Sequence, residues 1–370
     1  MSELTISKNV SLLTLILPKE TVEQVSSAIS KEGAKGIVQI SARGSVLNEG
    51  GFLQKMFPPP APEQQLLQAL VPNSKIEVIT DKAIEVGNLD KVGGGAVFTI
   101  SCNDAHFSDK FPVNIEDSDA KADSNGSDNL EAICCICEIG VADDIAKAAL
   151  QNGAPGPTVT FGEGGGVRDK IPLLRITKGP EKEFVWCVVD KSDSDAIFAD
   201  MARAGKITEP GRGFMYSIPV SSGLINVSST VSSSAHGANM EQIIAALDDL
   251  KGDKDWRTSI DSSKGKSLKT TYLENLVGMY CIVPRDNYSD VYDAILDSGA
   301  PGVSTNFGVM IDSESDQQQN EEWALVYTSV GPNSVNDLRS AMEDKISSLG
   351  IDRYAFYTLP IPRALTYLGG

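Results

Sequence analysis

The chain has 370 residues, a length that favours about two to three domains, with a formal net charge of −18 and 41% hydrophobic residues, ample for three small cores. So large an acidic excess disfavours a nucleic-acid or anionic-membrane partner, because phosphate surfaces repel it and no basic run offsets the field. Residues 1–10 lack the charged-then-apolar layout of a secretory signal, and no apolar stretch reaches the ~18 residues of a membrane span, so a cytoplasmic protein is expected.

In chain order, the first element is an apolar strand over residues 12–17. A helix follows, with Val22, Val25 and Ile29 on one face and Glu20 and Glu23 in its opening turn, where acids suit the positive end of the helix dipole. It stops at Gly33, in the phrase Gly33-Ala34-Lys35-Gly36. The phrase returns as Gly153-Ala154-Pro155-Gly156 and Gly299-Ala300-Pro301-Gly302, each time after an apolar strand (residues 132–137 and 277–283) and a helix. Tyr288, Val291, Tyr292, Ile295 and Leu296 make the clearest helical stripe. Glycine in these places marks a left-handed C-cap.

After each phrase the pattern predicts a second strand, a loop of variable length and a third strand, at 64–71, 184–189 and 324–330. A second helix then falls at 74–86, 192–204 and 334–348. Each copy closes on an aromatic, hydroxyl, aliphatic triplet: Phe98-Thr99-Ile100, Tyr216-Ser217-Ile218 and Tyr357-Thr358-Leu359. Two landmarks in register give the order β-α-β-β-α-β three times. The expected fold class is therefore α+β, with three ferredoxin-like (βαββαβ) modules at 8–103, 131–226 and 275–368. Each module leaves one sheet face to bury, so an intramolecular pseudotrimer is expected from a monomeric chain. Residues 104–130 and 227–274 read as linkers, the second with an amphipathic helix candidate over residues 240–250.

Cys134, Cys135 and Cys137 crowd one strand. Alternation sends Cys135 and Cys137 to one face and Cys134 to the other, and no histidine or second CxxC completes a four-ligand site, so they read as small core residues.

The second module contains Gly156-Pro157-Thr158-Val159-Thr160 followed by Gly164-Gly165-Gly166-Val167-Arg168, then Arg203-Ala204-Gly205-Lys206-Ile207 and Pro210-Gly211-Arg212-Gly213. These stretches resemble the T-loop base and the B-loop of the PII signal-transduction family, whose members are homotrimers of such modules. The resemblance implies an adenine nucleotide in the clefts between modules and regulation of a partner enzyme or membrane transporter through the long loops. It covers all three modules in layout and only the second in motif detail.

The residue chemistry is compatible with that expectation. Glycines at Gly205, Gly211 and Gly213 let backbone N–H groups approach phosphate oxygens, with Lys206 and Arg212 supplying charge. Thr158, Gly164, Gly165, Gly166 and Arg168 add a second candidate cradle, the arginine able to grip an anion with two donors. Gly is also the usual residue of an ordinary tight turn, which is the competing reading of both loops. Module one keeps Arg43, Gly44, Lys91, Gly93 and Gly94 as a partial cradle; module three keeps neither a Gly-rich run nor a basic pair.

Other features depart from the family. No tyrosine occurs in loops 42–63, 162–182 or 309–322, which argues against control by nucleotidylation there. The neutral Ser221-Ser222-Gly223-Leu224-Ile225-Asn226 replaces the arginines the family often places after the last strand, favouring AMP or ADP over ATP as ligand, with no covalent cofactor. Pro58, Pro59, Pro60 and Pro62 stiffen the first loop. The two histidines, His106 and His236, fall in linker sequence, and the acidic runs read as solvated surface, so no enzyme is expected. The sequence thus points to a non-enzymatic regulatory protein, the alternative being a scaffold of the same shape that has lost its ligand. Which nucleotide, how many competent sites, whether 2-oxoglutarate or bicarbonate is sensed, and which partner is regulated are not encoded in any pattern.

Overall fold

The computed structural model describes residues 5–48, 61–113, 129–166, 180–227, 230–232, 271–311 and 321–368. The first segment holds β1 (Thr5–Ser7), β2 (Val10–Pro18), α1 (Val22–Lys31), β3 (Ile37–Gly44), β4 (Val46–Asn48), β5 (Glu63–Pro72), α2 (Ile76–Gly87), β6 (Gly95–Ser101) and β7 (Asp104–Phe107). The middle segment holds β8 (Leu130–Glu138), α3 (Ala142–Gln151), β9 (Thr158–Gly166), β10 (Glu181–Asp190), α4 (Lys191–Ala204), β11 (Gly213–Val220), β12 (Ser222–Asn226) and β13 (Thr230–Ser232). The last holds β14 (Leu273–Pro284), α5 (Tyr288–Asp297), β15 (Gly302–Ile311), β16 (Glu321–Val330), α6 (Val335–Ser348) and β17 (Ala355–Thr366). The helix candidate over 240–250 lies outside the described residues.

The strand pairing overturns the expected fold class. Instead of three ferredoxin-like modules, each with its own four-stranded sheet, the strands join in one 15-stranded sheet. Nine of them close on themselves in the antiparallel circuit β14–β17–β11–β8–β10–β9–β3–β15–β16–β14. "Ferredoxin-like" and "PII-like" are therefore corrected as descriptions of the architecture: this is a closed β-barrel with helices outside it. The physical reason lies at the edges. A four-stranded unit would leave two rows of unpaired N–H and C=O groups, and within the nine-strand circuit closure removes them.

The joints that make the closure are short. The end of β3 pairs with β9 (Ala42 opposite Thr160), the end of β9 with β15 (Gly164 opposite Ser304), and the end of β15 with β3 (Met310 opposite Val38). The tails after the last strand of each segment cross the other way: β7 pairs with β17, the end of β17 with β11, and β12 with β6. Residues 104–107, expected to be linker, are thus a strand in the sheet.

Alternation along the central strands divides the core. Leu12 and Ile16, Cys134 and Ile136, Tyr280 and Ile282 face a shared interior, where they meet Phe98, Tyr216 and Tyr357. The intervening residues face the helices. Leu13, Leu15 and Leu17 pack under α1 and α2; Ile133, Cys135 and Cys137 under α3 and α4; Met279, Cys281 and Val283 under α5 and α6. The three crowded cysteines therefore split between the two faces as a strand requires, and all are buried. Gly33, Gly153 and Gly299 follow their helices with φ of +110°, +85° and +91°, the left-handed turn that ends each one.

Candidate functional site

An open cleft of about 600 Å³ lies where the first and middle segments meet, within the ~300–1,000 Å³ of small-molecule sites. Pro18, Lys19 and Glu20 form one wall, Pro62, Glu63 and Gln64 a second, Gly93 and Gly95 a third, and Val227 closes it from the middle segment. Each wall has a local cause. Pro18 ends β2 and a single 3-10 turn over Lys19–Thr21 leads into α1, so Lys19 and Glu20 stand at the strand's mouth. Glu63 and Gln64 begin β5 directly opposite the end of β2, with Pro18 facing Gln64.

The neighbouring tail is clasped in place by Asn226. Its carbonyl accepts the Gly93 N–H at 2.8 Å, and its side-chain Nδ2 donates to the Leu89 carbonyl at 2.7 Å. Val227 then passes so close to Gly156 that a Cβ there would lie 2.4 Å from Val227 Cγ1. The second glycine of the repeated phrase is where the tail crosses, which is why a side chain is not tolerated.

The cleft is charged but balanced toward acid. Lys19 Nζ lies 2.7 Å from Glu63 Oε2, with both side chains more than half exposed. Their mutual hydrogen bond raises the Lys19 ammonium and lowers the Glu63 carboxyl relative to their ordinary ranges. Glu20 adds a second carboxylate to the lining. An exposed pair of this kind exchanges partners at little cost, so Lys19 is able to meet an incoming anion.

The sequence-predicted residues are distributed unevenly around this geometry. Gly93 lines the cleft, beside the predicted Gly94 and next to Gly95. Its N–H is bound to Asn226 and that of Gly94 to the Lys91 carbonyl at 2.9 Å, while Lys91 Nζ donates to Asn88 Oδ1. Gly44 ends β3 beside the Gln64 amide, and Thr158 Oγ1 donates to Gln64 Oε1 at 2.9 Å, so both sit just behind the cleft wall.

Arg43 points to the other side of the joint. Its Nη1 lies 2.6 Å from Asp143 Oδ1 and its Nη2 3.3 Å from Glu183 Oε1. Glu183 also accepts the N–H groups of Gly140 and Ala142 at 2.8 and 3.2 Å, at the start of α3. A carboxylate of the chain itself thus fills the helix N-terminus in the middle segment.

The second predicted cradle is engaged internally as well. Gly164, Gly165 and Gly166 lie in β9 and pair with β15, opposite Ser304, Val303 and Gly302. Gly205 N–H donates to Met201 O and Lys206 N–H to Arg203 O, and Lys206 takes a φ of +52°. Arg212 pairs with Glu138 at 3.2 Å and Glu209 at 3.4 Å, Gly211 has a φ of +72°, and Gly213 starts β11 opposite Cys137. Arg168 lies outside the described residues. "Nucleotide-binding" is unsupported as a label for this second pair of loops: the N–H groups of Gly164, Gly205 and Lys206 and the Arg212 guanidinium are engaged within the chain.

Sequence reasoning missed Lys19, Gln64, Asn226 and Val227. Asn226 was legible only as part of a neutral stretch, since a backbone clasp carries no motif. His106 is also misplaced by it: the residue sits in β7, 6% exposed, with Nε2 3.7 Å from Asp104 and Nδ1 3.8 Å from Glu343. His236 lies outside the described residues. Among the described residues no group of three or more His, Cys, Asp or Glu is arranged to hold a metal ion. Nor is any helix among them long and apolar enough to cross a membrane.

No family model matches the sequence, and no curated protein does. Among solved structures, a Synechocystis aspartate kinase aligns with 96% of this chain at 8% identity and a TM-score of 0.22, and the chain spans 44% of the length of that kinase. A microcompartment protein from Desulfitobacterium hafniense DCB aligns with 63% of this chain and 94% of its own, at 12% identity and a TM-score of 0.18. A chlorite dismutase from Candidatus Nitrospira defluvii aligns with 63% and 92%, at 10% identity and 0.16. At these scores the likenesses assign neither fold nor function to this chain.

Proposed function

We propose that the chain is a non-enzymatic, cytoplasmic regulatory protein that binds an adenine nucleotide in the Lys19–Gly93–Val227 cleft and acts on a partner enzyme or transporter through the loop that the cleft borders. One observation carries this reading: a cleft of about 600 Å³ bounded by a glycine turn, a displaceable lysine and the base of the loop between β4 and β5. Pro62, Glu63 and Gln64 are both cleft wall and the start of β5. A ligand there would act on the loop if it contacts one arrangement of that loop better than another.

The charge balance sets the preference among ligands. Glu20 and Glu63 face the same space as Lys19, so each added phosphate meets more repulsion than attraction. AMP or ADP is favoured over ATP. Melting the protein with each nucleotide tests this: a ligand at 100 times its Kd adds about 2.7 kcal/mol of stability, read as a raised Tm.

A second reading has its own support. Arg43, Arg212 and the Gly93 and Gly94 N–H groups all have partners within the chain, as a scaffold without ligand would. A Tm unmoved by any of the three nucleotides favours that alternative.

A further inference from the structure

In the shared interior, separate from the cleft, lies a cavity of about 20 Å³. Its lining is mostly apolar, and the polar exceptions, Thr14, Gln68, Thr160 and Asn306, gather there with Trp186 and Tyr327. Those four polar residues are between 1% and 8% exposed. The cavity has a sequence cause. Thr14 stands four residues before Pro18, facing Gln68 on β5, as Tyr280 stands four residues before Pro284, facing Tyr327 on β16. Tyr280 and Tyr327 stack with ring centroids 5.1 Å apart. The first segment places two smaller polar side chains where the last places two rings, and the difference in volume remains as a hole.

One polar group beside that hole lacks a partner and others are held only loosely, although Asn306 Nδ2 also donates to the Phe161 carbonyl at 3.0 Å. Thr14 Oγ1 is fully buried and has none. Asn306 Nδ2 reaches Thr160 Oγ1 only at 3.4 Å, and the Tyr327 hydroxyl reaches Asn306 Oδ1 at 3.4 Å, both at the long limit of a hydrogen bond. A cavity of ~10–15 Å³ or more accommodates one water when two to four polar groups line it, whereas apolar cavities stay dry.

We infer that this cavity is a binding site for a single buried water molecule that joins Thr14 Oγ1 to the Gln68–Thr160–Asn306 cluster. The ligand class follows from size and chemistry. The volume admits one small neutral molecule, and the lining offers both donors and acceptors with no charged group among the polar residues named. The water ties the first segment's strands to β9 and β15 at the point where the three segments meet, completing a polar network in an otherwise apolar core.

High-resolution crystallography of the full chain and of Thr14→Val tests the inference. The wild type is expected to show one well-ordered water within hydrogen-bond distance of Thr14 Oγ1, and T14V to lose or shift it. T14V is also expected to melt about 1–3 °C lower, because it strips a partner from the network. The inference is overturned if the wild-type cavity shows no water density or takes up xenon in a pressurised crystal. A T14V protein that melts at or above the wild-type temperature also overturns it, since removing an orphan hydroxyl from a dry cavity does not destabilise.

Discussion

Arg43, at the end of the first segment's second long strand, holds Glu183 of the middle segment with its Nη2 3.3 Å from the carboxylate Oε1. Glu183 is 6% exposed at its side chain and binds two backbone N–H groups at the start of α3 as well. The pair therefore joins two segments and caps a helix at once.

Arg43→Ala leaves a buried carboxylate with only its two amide donors. The expected cost is about 1–3 kcal/mol of unfolding free energy, the range for losing a charge-assisted hydrogen bond from a buried group. Arg212→Ala, whose partners are partly exposed, should cost under about 1 kcal/mol. Denaturant melts of both variants check the order; equal losses would contradict it.

Asp104 gives a pH dependence with a definite sign. Burial raises its carboxyl, but the His106 imidazole 3.7 Å away, a hydrogen bond from Thr358 and the Arg339 guanidinium at 2.6 Å outweigh that and hold it well below the ordinary carboxylate range. Glu343, on the far side of His106, is the other acid facing the group. A depressed folded value means that the stabilisation is present above the unfolded value of about 4 and is lost as pH falls through the lower folded one. Asp104→Asn should therefore be less stable than wild type at neutral pH, and the gap should close only in strong acid. Urea melts from pH 7 down to pH 2 read this directly, and a gap that closes above pH 5 contradicts it.

Backbone geometry predicts unequal costs at two glycines. A Cβ on Gly213 would lie 2.0 Å from the Ile136 carbonyl oxygen at a φ of +150°, whereas one on Gly140 meets nothing within 4 Å at a φ of +84°. Gly140→Ala should cost about 1–2 kcal/mol from the left-handed backbone alone. Gly213→Ala should cost about 3 kcal/mol or more, because β11 must also move off β8. Thermal melts of the two variants separate the contributions.

All six cysteines are buried and unpaired. Burial raises all six thiols, Cys137 and Cys187 up to about 12 and Cys102, Cys134, Cys135 and Cys281 in the same direction. A thiol reagent at pH 8 should find almost no reactive cysteine in the native protein and six after denaturation, since only the thiolate attacks.

The secondary elements were legible because they depend on local pattern. The apolar run over residues 12–17 marks a strand buried on both faces, and the stripe from Tyr288 to Leu296 encodes a helix with one buried face. The closure of the barrel was not legible, because edge pairing between β3 and β9 or β12 and β6 joins residues more than a hundred positions apart and leaves no period in the sequence. Glycine shows the same limit. Gly164–Gly166 promised a close approach, and a close approach is found; the approaching group is β15, whose Thr305 carbonyl would lie 2.0 Å from a Cβ on nearby Gly162. Sequence alone does not distinguish a phosphate from a neighbouring strand. The cleft itself was half visible, in Gly93, while the clasp by Asn226 depends on a tail from another segment.

Titration calorimetry of the full chain with AMP, ADP and ATP, repeated on Lys19→Ala, tests the central proposal most directly. The prediction is one nucleotide per chain, with AMP or ADP bound more tightly than ATP. K19A should weaken binding at least about tenfold, or 1.4 kcal/mol, with an unchanged Tm because the Lys19–Glu63 pair is exposed. No binding tighter than about 1 mM by any of the three, or binding that K19A leaves intact, would contradict the account.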